Sequence, residues 1–272
     1  MMYWIYDYPS WLIATLFVAG FIAMTWIGIF LTRATVHSWI HREARANEMV
    51  GLALSSFFVL FGLLLGLLAI ATYQNYSNVS DMVDKEASSI ATLDRDFNAF
   101  PQPFRGQLQD RLREYARFTI EDGWPQQRKG IAPAGGTERV TALFHVLSTF
   151  EPAKKSEEFF YAEALRQFNN LVEIRRTRLA NVQLGLPPIL WWVVAFGSLM
   201  SIVLIWLQNM EIHVHLILGG ILASIIGALI FLIAMLDNPF RGGAGVGPNS
   251  IALVYETLMK PDGDGAAAPD AH

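Results

Sequence analysis

The chain has 272 residues, 53% of them hydrophobic, a formal net charge of -4 and no cysteine. Its 20 Lys and Arg are spread without a basic run, which removes the electrostatic footprint of a nucleic-acid-binding protein. The absence of thiols excludes structural disulfides, thiol catalysis and thiolate metal ligation, but it does not fix a compartment.

The first residues are aromatic and poor in charge, with Tyr3, Trp4, Tyr6, Tyr8 and Trp11, a composition suited to the headgroup depth where amphipathic rings settle. Trp11 to Leu31 contains no Asp, Glu, Lys or Arg, and neither do Met49 to Tyr73, Pro187 to Leu207 and Val214 to Leu236. A hydrocarbon core about 30 Å thick needs about 20 apolar helical residues to cross it, so these stretches predict four transmembrane helices, grouped two and two. The mean hydropathy of +0.34 averages them with a polar middle. The first span is longer than a signal-peptide core and lacks a basic leader, so it is expected to be retained. A basic turn with Arg33, His37, His41, Arg42 and Arg45 follows it, and Asn47 and Met49 lead into the second span.

From Asn78 to Val182 apolar residues recur at helical spacing. Val79, Met82, Val83, Ala87, Ile90, Leu93 and Phe97 mark one helix, and Phe104, Leu108, Leu112, Tyr115 and Phe118 a second, with Pro101 and Pro103 between them. Trp124-Pro125 and the run from Lys129 to Gly136 are expected to break the chain before a shorter helix through Val140, Leu143, Leu147 and Phe150. Ser156 is the expected N-cap of a long fourth helix, with Glu157 and Glu158 in its first turn and Leu165, Phe168, Leu171, Val172 and Leu179 on its apolar face. No breaker lies between Tyr73 and Met82 or before Gly185 and Pro187, so two of these helices are expected to continue spans two and three. No segment shows strand periodicity.

After the fourth span comes a turn, Asp237-Asn238-Pro239-Phe240-Arg241-Gly242-Gly243. Ile251, Val254, Tyr255 and Leu258 then form one face of a short helix entered at Pro248-Asn249-Ser250. The expected fold is all-α: a transmembrane pair at 1–76, a helical lobe at 77–186, a second pair at 187–236, a turn and amphipathic helix at 237–260, and a disordered tail at 261–272. For orientation, Arg33, Arg42 and Arg45 draw the first loop inward, whereas Lys85, Arg175, Arg176, Arg178 and Arg241 draw the lobe and C-terminus inward. The larger group predicts a cytoplasmic lobe, and an even number of spans puts both termini on its side.

Helices in hydrocarbon associate by close packing, so small residues four apart mark contacts. Span four carries two such rows, Gly219, Ala223, Gly227 and Gly220, Ser224, Ala228, read first as packing within one subunit and second as subunit contact. In span two, Gly51, Ser55, Phe58, Gly62 and Gly66 share one face. Several copies of that strip around an axis would make a narrow apolar throat able to gate by dewetting; the plain alternative is GxxxG packing. The spans hold no carboxylate, Lys or Arg, which argues against a proton-driven transporter. A channel can work with hydroxyls, backbone dipoles and helix ends.

Other polar groups carry little chemistry. His37 and His41 lie at i and i+4, but Ser38 stands where a metalloprotease helix has Glu, and no third ligand is near. His213 and His215 point to different sides of a helix. The glycines 242, 243, 245 and 247 follow a span rather than a strand, so a dinucleotide loop is not indicated. Asp94, Asp96, Glu121 and Asp122 read as solvated helix faces. No metal, cofactor or enzymatic activity is expected.

Several blocks together resemble the bacterial four-pass proteins described as bestrophin-like. They are Glu86-Ala87, Glu121-Asp122-Gly123-Trp124-Pro125, Glu151-Pro152, Arg175-Arg176-x-Arg178-Leu179, Leu186-Pro187 with Leu190-Trp191, and Leu236-Asp237-x-Pro239-Phe240-Arg241-Gly242. His41, Asn47 and Gly51 fit the same pattern, and the similarity runs from about Arg33 to Met259. Two places are similar to bestrophins themselves. Ser56-Phe57-Phe58-Val59-Leu60 through Gln74-Asn75-Tyr76 resembles the second span that lines the hydrophobic neck of a pentameric anion channel. Asn238-Pro239-Phe240 resembles the start of the segment that clasps calcium there. Arg241, glycines, Pro248 and Asn249 stand in place of its acidic cluster, and hard cations need several oxygen ligands, so calcium gating is not expected.

The resemblance implies a homo-oligomer, with five subunits as the family's arrangement, in lipid and passing small inorganic ions. The leading expectation is an ion channel of the bacterial inner membrane, passing small anions, lined by Ser55, Phe58, Val59, Gly62 and Gly66. The alternative is a non-conducting scaffold or sensor that binds a partner through its lobe, tested by loss of binding on Arg175→Glu and Arg176→Glu. An enzyme acting on lipid ranks third.

Overall fold

The computed structural model describes residues 3–40 and 45–260, and no strand occurs among them. A short 3-10 helix at Tyr3–Asp7 precedes α1 (Ser10–Ile40). Then come α2 (Ala46–Phe97), α3 (Phe104–Phe118), α4 (Trp124–Arg128), α5 (Gly135–Ser148) and α6 (Lys155–Asn181). The chain ends in α7 (Pro188–Trp206), α8 (Ile212–Leu236) and α9 (Asn249–Val254), the last followed by a π turn at Tyr255–Met259. Four helices, α1, α2, α7 and α8, are long and apolar enough to cross a membrane. The fold divides at Ser77/Asn78, Gln183/Leu184 and Gly245/Val246 into a membrane unit and a lobe.

In the membrane unit α1 packs along α8 and against α7. Helices gain no hydrophobic force by meeting in lipid, so close fit must hold them. A Cβ on Gly219 would stand 3.2 to 3.3 Å from Ile29, Ile205 and Thr25, and one on Gly227 would stand 3.1 Å from the Phe17 and Val18 backbone. With Ala223 fully buried, this row of α8 is a contact within the subunit. In the second row Gly220 faces the Trp26 indole, while Ser224 and Ala228 lie toward the surface. Two indoles pin the helices: Trp26 donates to the Leu216 carbonyl at 3.0 Å and Trp206 to the Thr25 carbonyl at 3.0 Å. Helix α2 joins through Phe61, Leu65 and Leu68, packed with Val194 of α7 and Ile226, Ile230 and Ile233 of α8.

The lobe is built from the expected apolar faces. Val79, Val83, Ala87, Ile90, Leu93 and Phe97 of α2 are buried, as are Leu108, Leu112 and Tyr115 of α3 and Val140, Leu143 and Leu147 of α5. Helix α6 adds Ala164, Phe168 and Leu171. Fully burying one such side chain away from water contributes about 1.5–3 kcal/mol. Residues Val246 to Met259 belong to this unit, with Val246, Ile251 and Met259 buried.

Four local expectations are corrected. Trp124-Pro125 does not break the chain; α3 passes through a π turn at Thr119–Gly123 into α4, and Pro125 sits directly after that wider turn, at the second position of α4. The N-cap of α6 is Lys154 rather than Ser156, and the Glu157 carboxylate accepts the Ala153 amide at 2.9 Å. Helix α2 runs unbroken from span two into the lobe, but α6 ends at Asn181 and α7 begins at Pro188, because residues 185–188 read Gly-Leu-Pro-Pro. The π turn after α9 rotates the C-terminal face, so Met259 is buried and Leu258 is 56% exposed. The tail at 261–272 lies outside the described residues.

Candidate functional site

Between Ala46 and Phe97 the sequence contains no proline, and α2 is one helix of 52 residues. Its span has two faces. Phe61, Leu65, Leu68 and Thr72 are buried against the rest of the unit. At 100° per residue, Ser55, Val59, Gly62 and Gly66 lie on a face centred about 120° away. There Ser55 and Gly62 are exposed, Gly66 is partly exposed and Val59 is 71% exposed. A Cβ on Gly62 or Gly66 would meet nothing within 4 Å. Phe58 sits at the margin, half-buried against the core cluster. The Ser55 hydroxyl donates to the Gly51 carbonyl at 2.9 Å, which satisfies it inside a hydrocarbon-length helix.

Two glycines on other spans behave differently. Phe61 occupies the notch left by Gly197 on α7, where a Cβ would fall 2.2 Å from its ring, and Trp206 covers Gly28 at 1.9 Å. Neither glycine was singled out in the sequence, although Gly197 and Ser201 stand four apart, because each partner is on another helix.

The lobe gathers three of the motif residues in one buried cluster. Glu86 follows Val83 by three positions on the inner face of α2, and Arg178 follows Leu171 by seven on the inner face of α6. Their side chains are 0% and 2% exposed. Arg178 donates from Nε to Glu86 Oε2 and from Nη2 to Oε1, the latter at 3.0 Å, in a bidentate pair. Tyr115 donates its hydroxyl to Glu86 Oε1, and Arg178 Nη1 donates to Gln127 Oε1. The guanidinium carbon lies 5.1 Å from the Trp124 ring, whose Nε1 donates to the Val246 carbonyl at 3.1 Å.

Burial, with the Glu86 charge beside it, pushes the Tyr115 phenol far above its ordinary range, so the hydroxyl stays a donor. Burial opposes the charge on Arg178, but Glu86 and Tyr115 outweigh it and hold the guanidinium protonated. Pro125 starts the turn that presents Trp124 and Gln127. Arg175 donates to Thr137 Oγ1 at 3.2 Å and lies over Gly136, while Arg176 is exposed. Sequence reasoning placed Tyr115 on a core face without its hydroxyl bond and missed Gln127.

The other motif residues secure the ends of the spans. Asp237, 4% exposed, accepts the Leu186 amide on Oδ1 beside Gly185. Burial raises its carboxyl above the usual range, and the Leu186 amide opposes that shift. Asn238 Nδ2 donates to the Tyr6 hydroxyl at 3.0 Å, and Tyr6 donates to the Ala234 carbonyl at 2.6 Å. Pro239 and the fully buried Phe240 lead to Gly242, whose φ of +74° suits glycine and brings the turn against Tyr6. Asn47 Oδ1 accepts the Asn209 amide at 2.9 Å, tying the start of α2 to the α7–α8 connection. His41 lies outside the described residues.

Four spans with an all-helical lobe inserted between the second and third define a multi-pass membrane protein of bestrophin-like fold. The bestrophin-like domain model matches residues 19–251, and the chain belongs to that family. A crystal structure of a bacterial bestrophin homolog from Klebsiella pneumoniae superimposes with a TM-score of 0.70 at 11% identity, covering 91% of this chain and 99% of that one. Another structure of a Klebsiella pneumoniae bestrophin homolog gives 0.64 at 13% identity, covering 89% and 96%. One described as a membrane protein gives 0.66 at 12%, covering 89% and 95%. Curated proteins include no match.

Proposed function

We propose that the protein is a homo-oligomeric ion channel, with α2 of each subunit around a shared axis and Ser55, Phe58, Val59, Gly62 and Gly66 bordering a hydrophobic constriction. The observation that carries this reading is the strip on α2. Gly197 of α7 and Gly219, Gly220 and Gly227 of α8 are covered by the subunit's own atoms, whereas Gly62 and Gly66 on α2, like Gly20 on α1, are not. A face of small residues in a membrane helix is suited to close approach by another helix or to a narrow lumen. Membership of the bestrophin-like family supports the same choice, and the reading further takes five subunits, the bacterial inner membrane, small anions as the ion class and no enzymatic step as its terms. The positive residues on the lobe and C-terminus favour a cytoplasmic lobe and termini.

Ion flux into liposomes containing the purified protein tests the reading. Wild type is expected to exceed empty vesicles, and Phe58→Ala, which removes a ring at the margin of the strip, is expected to raise flux several-fold. Equal flux for wild type, variant and empty vesicles would remove the channel. The scaffold alternative has a narrower footing, because Arg175 is buried against Thr137 and only Arg176 offers a free surface for a partner.

A further inference from the structure

We propose that Asn47 is a positioning residue for conduction: its hydrogen bond holds the head of α2 back against its own subunit and so keeps the mouth of the conduction path open. The inference rests on α2 being the axial helix. No residue from Ala46 to Leu60 is buried, and Phe61 is the first buried side chain of the helix. About four turns, Gly51, Ser55 and Val59 among them, therefore precede the point where α2 seats in its subunit. At the near end of this stretch Phe57 and Phe58 pack half-buried on the core cluster, with Phe57 stacked on Phe61 at 5.8 Å. At the far end one side-chain hydrogen bond reaches another element among the described residues: Asn47 Oδ1 accepts the Asn209 amide at 2.9 Å. A Cβ on Gly51 would stand 3.8 Å from Gln208 Nε2, an ordinary van der Waals distance.

The anchor for this bond is fixed independently of α2. Gln208 is buried, its amide donates to the Ile205 carbonyl at 3.1 Å, and the buried His215 donates from Nε2 to the same carbonyl at 2.9 Å. At 100° per residue Asn47 lies about 30° from the centre of the buried face of α2 and about 90° from the centre of the Ser55–Gly66 strip. The bond therefore draws the head toward its own subunit and away from an axis that the strip faces. Asn47 is half-buried, so water can take the place of the Asn209 amide. A neutral hydrogen bond exchanged for one to water shifts an equilibrium by about 2- to 12-fold, a bias small enough to be made and broken during gating.

Single-channel recording in planar bilayers tests the assignment, because open probability does not depend on how much of the protein folds. Asn47→Ala removes the acceptor and is expected to lower open probability about 2- to 12-fold. An oligomer of wild-type size without detectable openings is the same result at its limit. Asn47→Asp keeps an acceptor for the Asn209 amide and is expected to open as wild type does. Wild-type or higher open probability in Asn47→Ala would overturn the assignment and leave the channel standing, as would an Asn47→Asp channel as impaired as Asn47→Ala. Loss of current from Asn47→Ala together with loss of the wild-type oligomer on gel filtration would give the residue a folding role and overturn the assignment too. No current from wild type would remove the channel and this inference together.

Discussion

Glu86 and Arg178 stand 92 positions apart and meet as a fully buried pair. Removing water from two charges is expensive, and only geometry that satisfies nearly every lone pair and proton offsets it. Here the fork-to-carboxylate bonds, the Tyr115 hydroxyl and the Gln127 amide do so. Glu86→Gln or Arg178→Met alone leaves a buried charge uncompensated and should cost the lobe about 3–5 kcal/mol, read from denaturant midpoints. Replacing both, Glu86→Leu with Arg178→Met, should recover most of that loss, because neither charge then remains. A double variant no better than the singles would show that the pair holds the lobe by more than mutual neutralisation. Glu86, Trp124 and Arg178 were recognisable as motif residues in the sequence. Their meeting was not, since a Gln 51 positions from its Arg has no local signature.

Among the elements, α2 is the one whose two faces do different work. Its strip of small residues was visible in the sequence, but the spacing of its glycines was also compatible with packing inside the subunit. The structure separates the cases by what a methyl group would touch. Gly197→Ala would drive a Cβ into the Phe61 ring and should destabilise the membrane unit by about 1–3 kcal/mol, measured by unfolding in detergent. Gly62→Ala meets open space in the same subunit and should change that stability by no more than about 0.5 kcal/mol, while altering flux or assembly. Equal destabilisation by the two would mean that Gly62 is an internal contact. The same limit on local pattern explains the start of α6: Ser156 has the chemistry of an N-cap, but Lys154 has the extended backbone, and Glu157 reaches back instead.

At the scale of the molecule, the segment after the fourth span closes onto the lobe. Trp124 bonds the Val246 carbonyl, Arg113 bonds the Met259 carbonyl at 2.5 Å, and Ile251 is fully buried. A chain ending at Gly245 should therefore keep its four spans and lose lobe order, seen as faster proteolytic cleavage between residues 78 and 183. Cleavage at the wild-type rate would show the segment to be dispensable. The four crossings, the helical character of the lobe and most of its core faces were determined by the sequence alone, because bilayer thickness and helical period act on contiguous residues. Tertiary structure alone decided which glycines hold a neighbour, that Glu86, Tyr115, Gln127 and Arg178 share one cluster, and that a strip of α2 stays uncovered within its own subunit. Those outcomes depend on side chains from distant helices arriving at the same place, and spacing within one helix carries no record of them.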